Sequence, residues 1–158
     1  MRITLALAVL ALLALPRPVA GQGKTAPDTS ELTLLGLGYR IDSTEVIRVL
    51  GLPDSIRSSE HPFDVGARIQ TWYYPKVWIF FNAQGHRDGM KLLLPGLRTK
   101  RGLAVGDRAS RARVLYGGPD DESADELRWG IGGQTDPELV VEIRNGRVKS
   151  IFVGHIID

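Results

Sequence analysis

Apolar residues in this chain recur at two different periods, and the switches between them mark short helices followed by strands. Around residues 43–50, Val46, Ile47, Val49 and Leu50 share one arc, with Thr44, Glu45 and Arg48 opposite, which predicts a two-turn amphipathic helix. Asp42 stands where a cap accepts from the first turn, and Glu45 three residues on completes a reciprocal capping box. Gly51 and Pro53 end the helix, one by relaxing into a left-handed cap and the other by blocking continuation. Alternation then takes over, and residues 55–60, 70–74, 77–82 and 90–94 predict four strands. In the third, Val77, Ile79 and Phe81 fall on one face and Trp78 and Phe80 on the other, so both faces are apolar there.

The second half follows the same plan. Gly106-Asp107 leads into a predicted helix over 108–116, with Ala109, Ala112, Leu115 and Tyr116 as its buried stripe. Strands are predicted at 126–131, 139–144 and 147–153, the last two joined by Asn145-Gly146, a pair suited to the positive φ angles of a two-residue hairpin turn. Leu139, Val141 and Ile143 are expected to face the helix, leaving Val140, Glu142 and Arg144 on the open side. Both helices close alike: Val49-Leu50-Gly51-Leu52-Pro53-Asp54 returns 66 residues later as Leu115-Tyr116-Gly117-Gly118-Pro119-Asp120. The implied fold is α+β, two tandem helix-plus-antiparallel-sheet repeats over 32–97 and 98–158, with short helices on one face of a curved sheet.

Ahead of the repeats, Met1-Arg2, an apolar run over 3–15 and the small residues Ala20-Gly21 read as a secretory signal peptide over 1–21. The run is shorter than the roughly 20 residues a membrane-spanning helix needs. Residues 22–31 carry Gly, Pro and small polar side chains without period and predict a disordered spacer. Removal of the leader takes Arg2 and Arg17 with it, so the formal charge of +2 falls to zero. That removes the electrostatic case for nucleic acid as a partner. The exported chain, periplasmic or extracellular, has no cysteine, hence no disulfide framework, thiolate metal site or lipid-attachment cysteine.

The order of helix, Gly-x-Pro-Asp, aromatic-led strand, apolar strand, turn and closing strand resembles the β-lactamase-inhibitor-like superfamily. That superfamily includes the tandem β-lactamase inhibitor proteins and the SmpA/OmlA outer-membrane-assembly lipoproteins. The resemblance is carried most strongly by Thr71-Trp72-Tyr73-Tyr74 with Val77-Trp78-Ile79-Phe80-Phe81-Asn82-Ala83-Gln84-Gly85, and by Arg101-Gly102-Leu103-Ala104-Val105-Gly106-Asp107 leading to Tyr116-Gly117-Gly118-Pro119. It implies helices on one side of a curved antiparallel sheet and an open face that binds another protein. The chain departs from it in lacking both the tethering cysteine of the lipoproteins and the disulfides of the secreted inhibitors.

Candidate chemistry is sparse. His61, His86 and His155 have no neighbour at a metal-ligand spacing, and neither Gly-x-Ser-x-Gly nor Ser-x-x-Lys occurs, so no catalytic residue, metal or cofactor is assigned and the chain is read as a non-enzyme. The acidic run Asp120, Asp121, Glu122, Asp125 and Glu126 lacks a calcium-loop pattern and reads as solvated. Arg98, Lys100 and Arg101 are suited to weak contact with an anionic surface, or to pairing with those acids. The binding candidates are aromatic: Trp72, Tyr73, Tyr74, Trp78, Phe80 and Trp129. An inhibitor-like or envelope-associated protein binder is the leading reading. An envelope-assembly accessory and a small hydrolase or ligand carrier stand as alternatives.

Overall fold

The structure, a computed structural model, describes residues 26–61, 65–133 and 136–155. The expected leader at 1–21, the first part of the expected spacer and residues 62–64 of the loop after the first strand lie outside the described residues.

Helix α1 spans Ser43–Leu50, and Asp42 caps it by accepting from the Glu45 N–H at 3.0 Å. Glu45 does not return the bond as a capping box requires; its carboxylate takes Arg48 at 2.8 and 2.5 Å instead. Of the expected apolar arc only Val46 is fully buried and Leu50 half-buried, while Ile47 and Val49 are each 37% exposed. Two turns touch the sheet along a single line, so residues one turn apart take the whole contact.

Strands β1 (Ser55–Glu60), β2 (Arg68–Tyr73), β3 (Val77–Phe81) and β4 (Arg87–Leu92) follow as an antiparallel meander. Helix α2 (Ala109–Tyr116) buries Ala112, Leu115 and Tyr116 and leads into β5 (Asp121–Glu122), β6 (Glu126–Gly130), β7 (Glu138–Arg144) and β8 (Arg147–Gly154). All eight strands form one sheet in the order β1-β2-β3-β4-β8-β7-β6-β5, so the last strands of the two halves meet at its centre. Over the described residues the fold is therefore α+β, an open antiparallel sheet with two α-helices. Its core lies on the helix side, where Ile79, Met90, Leu92, Leu127, Leu139, Val141, Ile151 and Val153 are buried.

Two expected boundaries are corrected. The fourth strand begins at Arg87, three residues early, where the backbone already pairs with Phe81, and the Arg87 side chain turns into the core and donates to the carbonyls of Gly38 (2.8 Å) and Leu32. Burial lowers its pKa to about 10. The spacer ends well before residue 31: Thr29–Leu32 forms a 3-10 turn capped by Asp28, and Glu31 is fully buried. There it accepts from Tyr116 Oη and the Lys100 N–H, both at 3.1 Å, with Arg101 Nε at 3.5 Å. In composition a carboxylate destined for burial looks the same as a solvated one.

Between them Leu34 and Leu37 exchange backbone hydrogen bonds of 3.2 and 2.8 Å around a tight turn in which Leu35 (φ 56°) and Gly36 (φ 78°) are both left-handed. Asparagine or glycine takes this conformation easily, and leucine rarely does.

Both helices end on a glycine of the same conformation, Gly51 at φ 79°, ψ −169° and Gly117 at φ 82°, ψ −163°. That region is essentially closed to residues with a Cβ. Gly117→Val is expected to destabilise the protein by about 1–3 kcal/mol, read as a lower urea midpoint; an unchanged midpoint refutes the cap.

Candidate functional site: the open sheet face

Residues directly opposite in an antiparallel pair share a face, so the register sorts the aromatic candidates. Trp72 pairs with Ile79 on the helix side and is buried. Tyr74 is buried with its hydroxyl donating to the Gly51 carbonyl at 3.0 Å, at the end of α1. Trp129, opposite Leu139, is fully buried with its ring 5.7 Å from that of Tyr116. These three belong to the core and leave the set of surface candidates. Strand parity, which sends alternate residues to opposite sides, decides it.

Tyr73, Trp78 and Phe80 lie together on the other face, half-buried. Tyr73 meets Trp78 edge-on at 5.1 Å, and Phe80 meets Phe152 edge-on at 5.6 Å across the central strands. Phe152 and Val140, which the choice of aromatic candidates passed over, complete the stripe; Phe152 was detectable as the one large apolar residue of β8 out of phase with Ile151 and Val153. The Phe152 ring lies over Gly89, where a Cβ would stand 2.8 Å from it. The face is concave, enclosing a cleft of about 390 Å³ floored by Thr71, Phe80, Val140 and Phe152 and bordered by charged side chains.

Those charges are mutually satisfied. Glu142 takes Lys91 at 2.5 Å and Lys149 at 3.1 Å, and Arg128 reaches Glu126 at 2.5 Å and Glu138 at 3.4 Å. Lys91 also lies 5.9 Å from the Trp78 ring centre, and Arg57 5.8 Å from that of Tyr73. Burial alone raises the pKa of Glu142, but the hydrogen bonds from Lys91 and Lys149 reverse this and bring it down to about 2.

A bulge at Phe80/Phe81 leaves Asp88 of β4 without a partner on β3 and re-aims it. Its carboxylate lies 3.1 Å from His155 Nδ1 and accepts from Tyr39 Oη at 3.2 Å, while Tyr39 Oη also bonds to the imidazole. Asp136 stands 3.5 Å from His155 Nε2. His155 has no close-spaced partner in the sequence because its partners are 67 and 116 residues away. No serine or threonine hydroxyl bonds to His155 among the described residues, and both ring nitrogens face carboxylates. The cluster thus clamps the end of β8 to the loop before α1 and offers no activated nucleophile.

The basic stretch is dispersed. Arg101 pairs with Asp28 and Glu31 and lies over the Tyr116 ring, Arg98 donates to the Gly102 carbonyl, and Arg113 pairs with Glu122. With Arg101 committed inward, the expected anionic-surface patch of Arg98, Lys100 and Arg101 is not presented as a unit. Among the described residues no group of His, Asp and Glu is placed to hold a metal ion, and no helix is long and apolar enough to cross a membrane.

No protein-family model matches the chain, and no curated protein matches it. Two solved structures are similar in part. An extracellular SCP-domain protein from Bacillus anthracis aligns at TM-score 0.47 and 8% identity over 74% of this chain, which spans 44% of that protein. A Streptococcus mutans protein proposed to be a β-lactamase inhibitor aligns at TM-score 0.33 and 12% identity over 82% of this chain and 88% of its own. At these scores neither likeness carries an argument about function.

Glu142 gives the open face an acid-sensitive edge. A carboxylate held at about 2 in the folded protein and at 4.5 in the unfolded chain contributes stability above pH 4.5 that is lost as pH falls toward 2. Glu142→Gln is expected to flatten the acid limb of the stability curve, measured as urea midpoints between pH 2 and 7; identical limbs overturn the assignment.

Proposed function

We propose that this chain is a non-enzymatic protein-binding module, exported to the periplasm or cell exterior, that grips another protein with its concave sheet face. One observation carries the reading: Tyr73, Trp78, Phe80, Val140 and Phe152 form a continuous apolar stripe on the side of the sheet opposite the core. Aromatic side chains supply much of the energy of protein interfaces, and ion pairs that stay on the solvated rim around them change affinity little. A module of this kind needs no nucleophile, metal or cofactor.

The tandem-repeat reading belongs to the same proposal. Residues 32–97 and 98–158 each supply a helix closed by a Gly of the same backbone conformation, followed by four strands, and their last strands pair at the sheet centre. This order supports the resemblance to the β-lactamase-inhibitor-like superfamily and makes the concave face a joint product of both halves.

The test is a Trp78→Ala/Phe80→Ala double variant. It is expected to keep its circular dichroism spectrum and to melt within about 5 °C of the parent. Affinity for the partner isolated from envelope extract, measured by calorimetry, is expected to fall by roughly 30-fold or more. Unchanged affinity in a folded variant sinks the concave-face assignment.

A further inference from the structure

A second surface lies on the opposite, helix-bearing side. Leu35, Leu50, Tyr74, Val77 and Leu97 wall an apolar groove of about 370 Å³, within the range of small-molecule sites. Lys76 is the one charged residue lining it, and no salt bridge engages that ammonium among the described residues. Leu52 (78% exposed) and Leu94 (44%) stand out from the segments that flank the groove, one following α1 and the other following β4. The Tyr74 hydroxyl is already spent on the Gly51 carbonyl, so the walls offer a ligand little but hydrocarbon.

The loop around Leu35 sets the position of one wall of the groove. Leu35 projects from a turn whose left-handed conformation leucine takes at a cost, although asparagine or glycine there would satisfy the same Leu34–Leu37 pairing without it. The turn is held from below by Arg87, which donates to the Leu32 and Gly38 carbonyls on either side of it. Leu35 holds this conformation while packing half-buried against the core beside Leu50 and Leu97, which fixes it as a wall of the groove.

We propose that this groove binds a single-chain carboxylate amphiphile, a medium-length fatty acid, with the alkyl chain along the leucine walls and the carboxylate on Lys76. The chain supplies affinity through apolar burial, and the ion pair at one end sets its direction. This site is separate from the concave face and stands or falls independently of it.

The probe is laurate, titrated below its micelle concentration into the purified protein and followed by calorimetry and by chemical shifts of Leu35, Tyr74 and Leu97. Saturable binding is expected, tightening about four-fold per methylene from octanoate upward. Leu35→Asn is expected to weaken laurate at least ten-fold while leaving the melting temperature unchanged or raised, an outcome that a purely structural role for Leu35 does not produce. Lys76→Ala is expected to weaken laurate but not 1-dodecanol. If Leu35→Asn melts lower, Leu97→Gln replaces it with the same expectation for laurate. Absence of saturable binding, shifts confined to the concave face, laurate affinity undiminished in the wall variants, or equal effects of Lys76→Ala on acid and alcohol each overturn the proposal.

Discussion

Everything in this structure depends on the seam where β4 and β8 pair. Met90 faces Val153 and Leu92 faces Ile151 across it, all four buried, so the seam is also the middle of the core. Separated, each four-stranded half would present a long apolar edge to water. The approach is possible because Gly89 sits opposite Gly154: a Cβ on Gly154 would lie 2.3 Å from the Asp88 carbonyl oxygen, and one on Gly89 would strike the Phe152 ring. The same two glycines thus allow the halves to fuse and let Phe152, from the second half, settle beside Phe80 from the first. The continuous aromatic stripe is a consequence of the seam.

Charge is used mainly to hold the frame. Arg87 secures the Leu32–Gly38 loop from within, Glu31 ties the N-terminal turn to α2 through Tyr116, and the bulged Asp88 fixes His155 and Tyr39 at the far end of β8. Burial raises the pKa of Glu31 despite the Tyr116 hydrogen bond and Arg101, so ionising this group opposes folding. Each of these groups is held by partners within the protein, although Arg87 Nη1 is buried without a hydrogen-bond partner.

How much could be read in advance follows from the range of the interactions. Local patterns were legible: the Asp42 cap, the Gly ends of both helices, the Asn145-Gly146 turn with both φ angles positive, and the alternation that separates Trp78 and Phe80 from Val77 and Ile79. Whatever needed strand register was not. Trp72, Tyr74 and Trp129 are as aromatic as their neighbours, and only parity against the helices assigns them to the core. The buried Glu31, the bulge at Asp88 and the left-handed Leu35 are invisible in composition, since each depends on a partner or a backbone turn that alternation does not encode.

The β2–β3 hairpin joins the two surfaces. Its two-residue turn, Pro75-Lys76, is closed by the Tyr74 N–H on the Val77 carbonyl at 3.0 Å. On either side of it, parity sends Tyr73 and Trp78 to the concave face and Tyr74 and Val77 to the apolar groove. A slip of one residue in this hairpin would exchange the two sets, putting core aromatics in water and the stripe against the helices. The turn therefore does more than connect two strands: its length fixes which side of the sheet each surface occupies. Proline at 75 preserves that length, because its locked φ and missing N–H leave the turn few other ways to close.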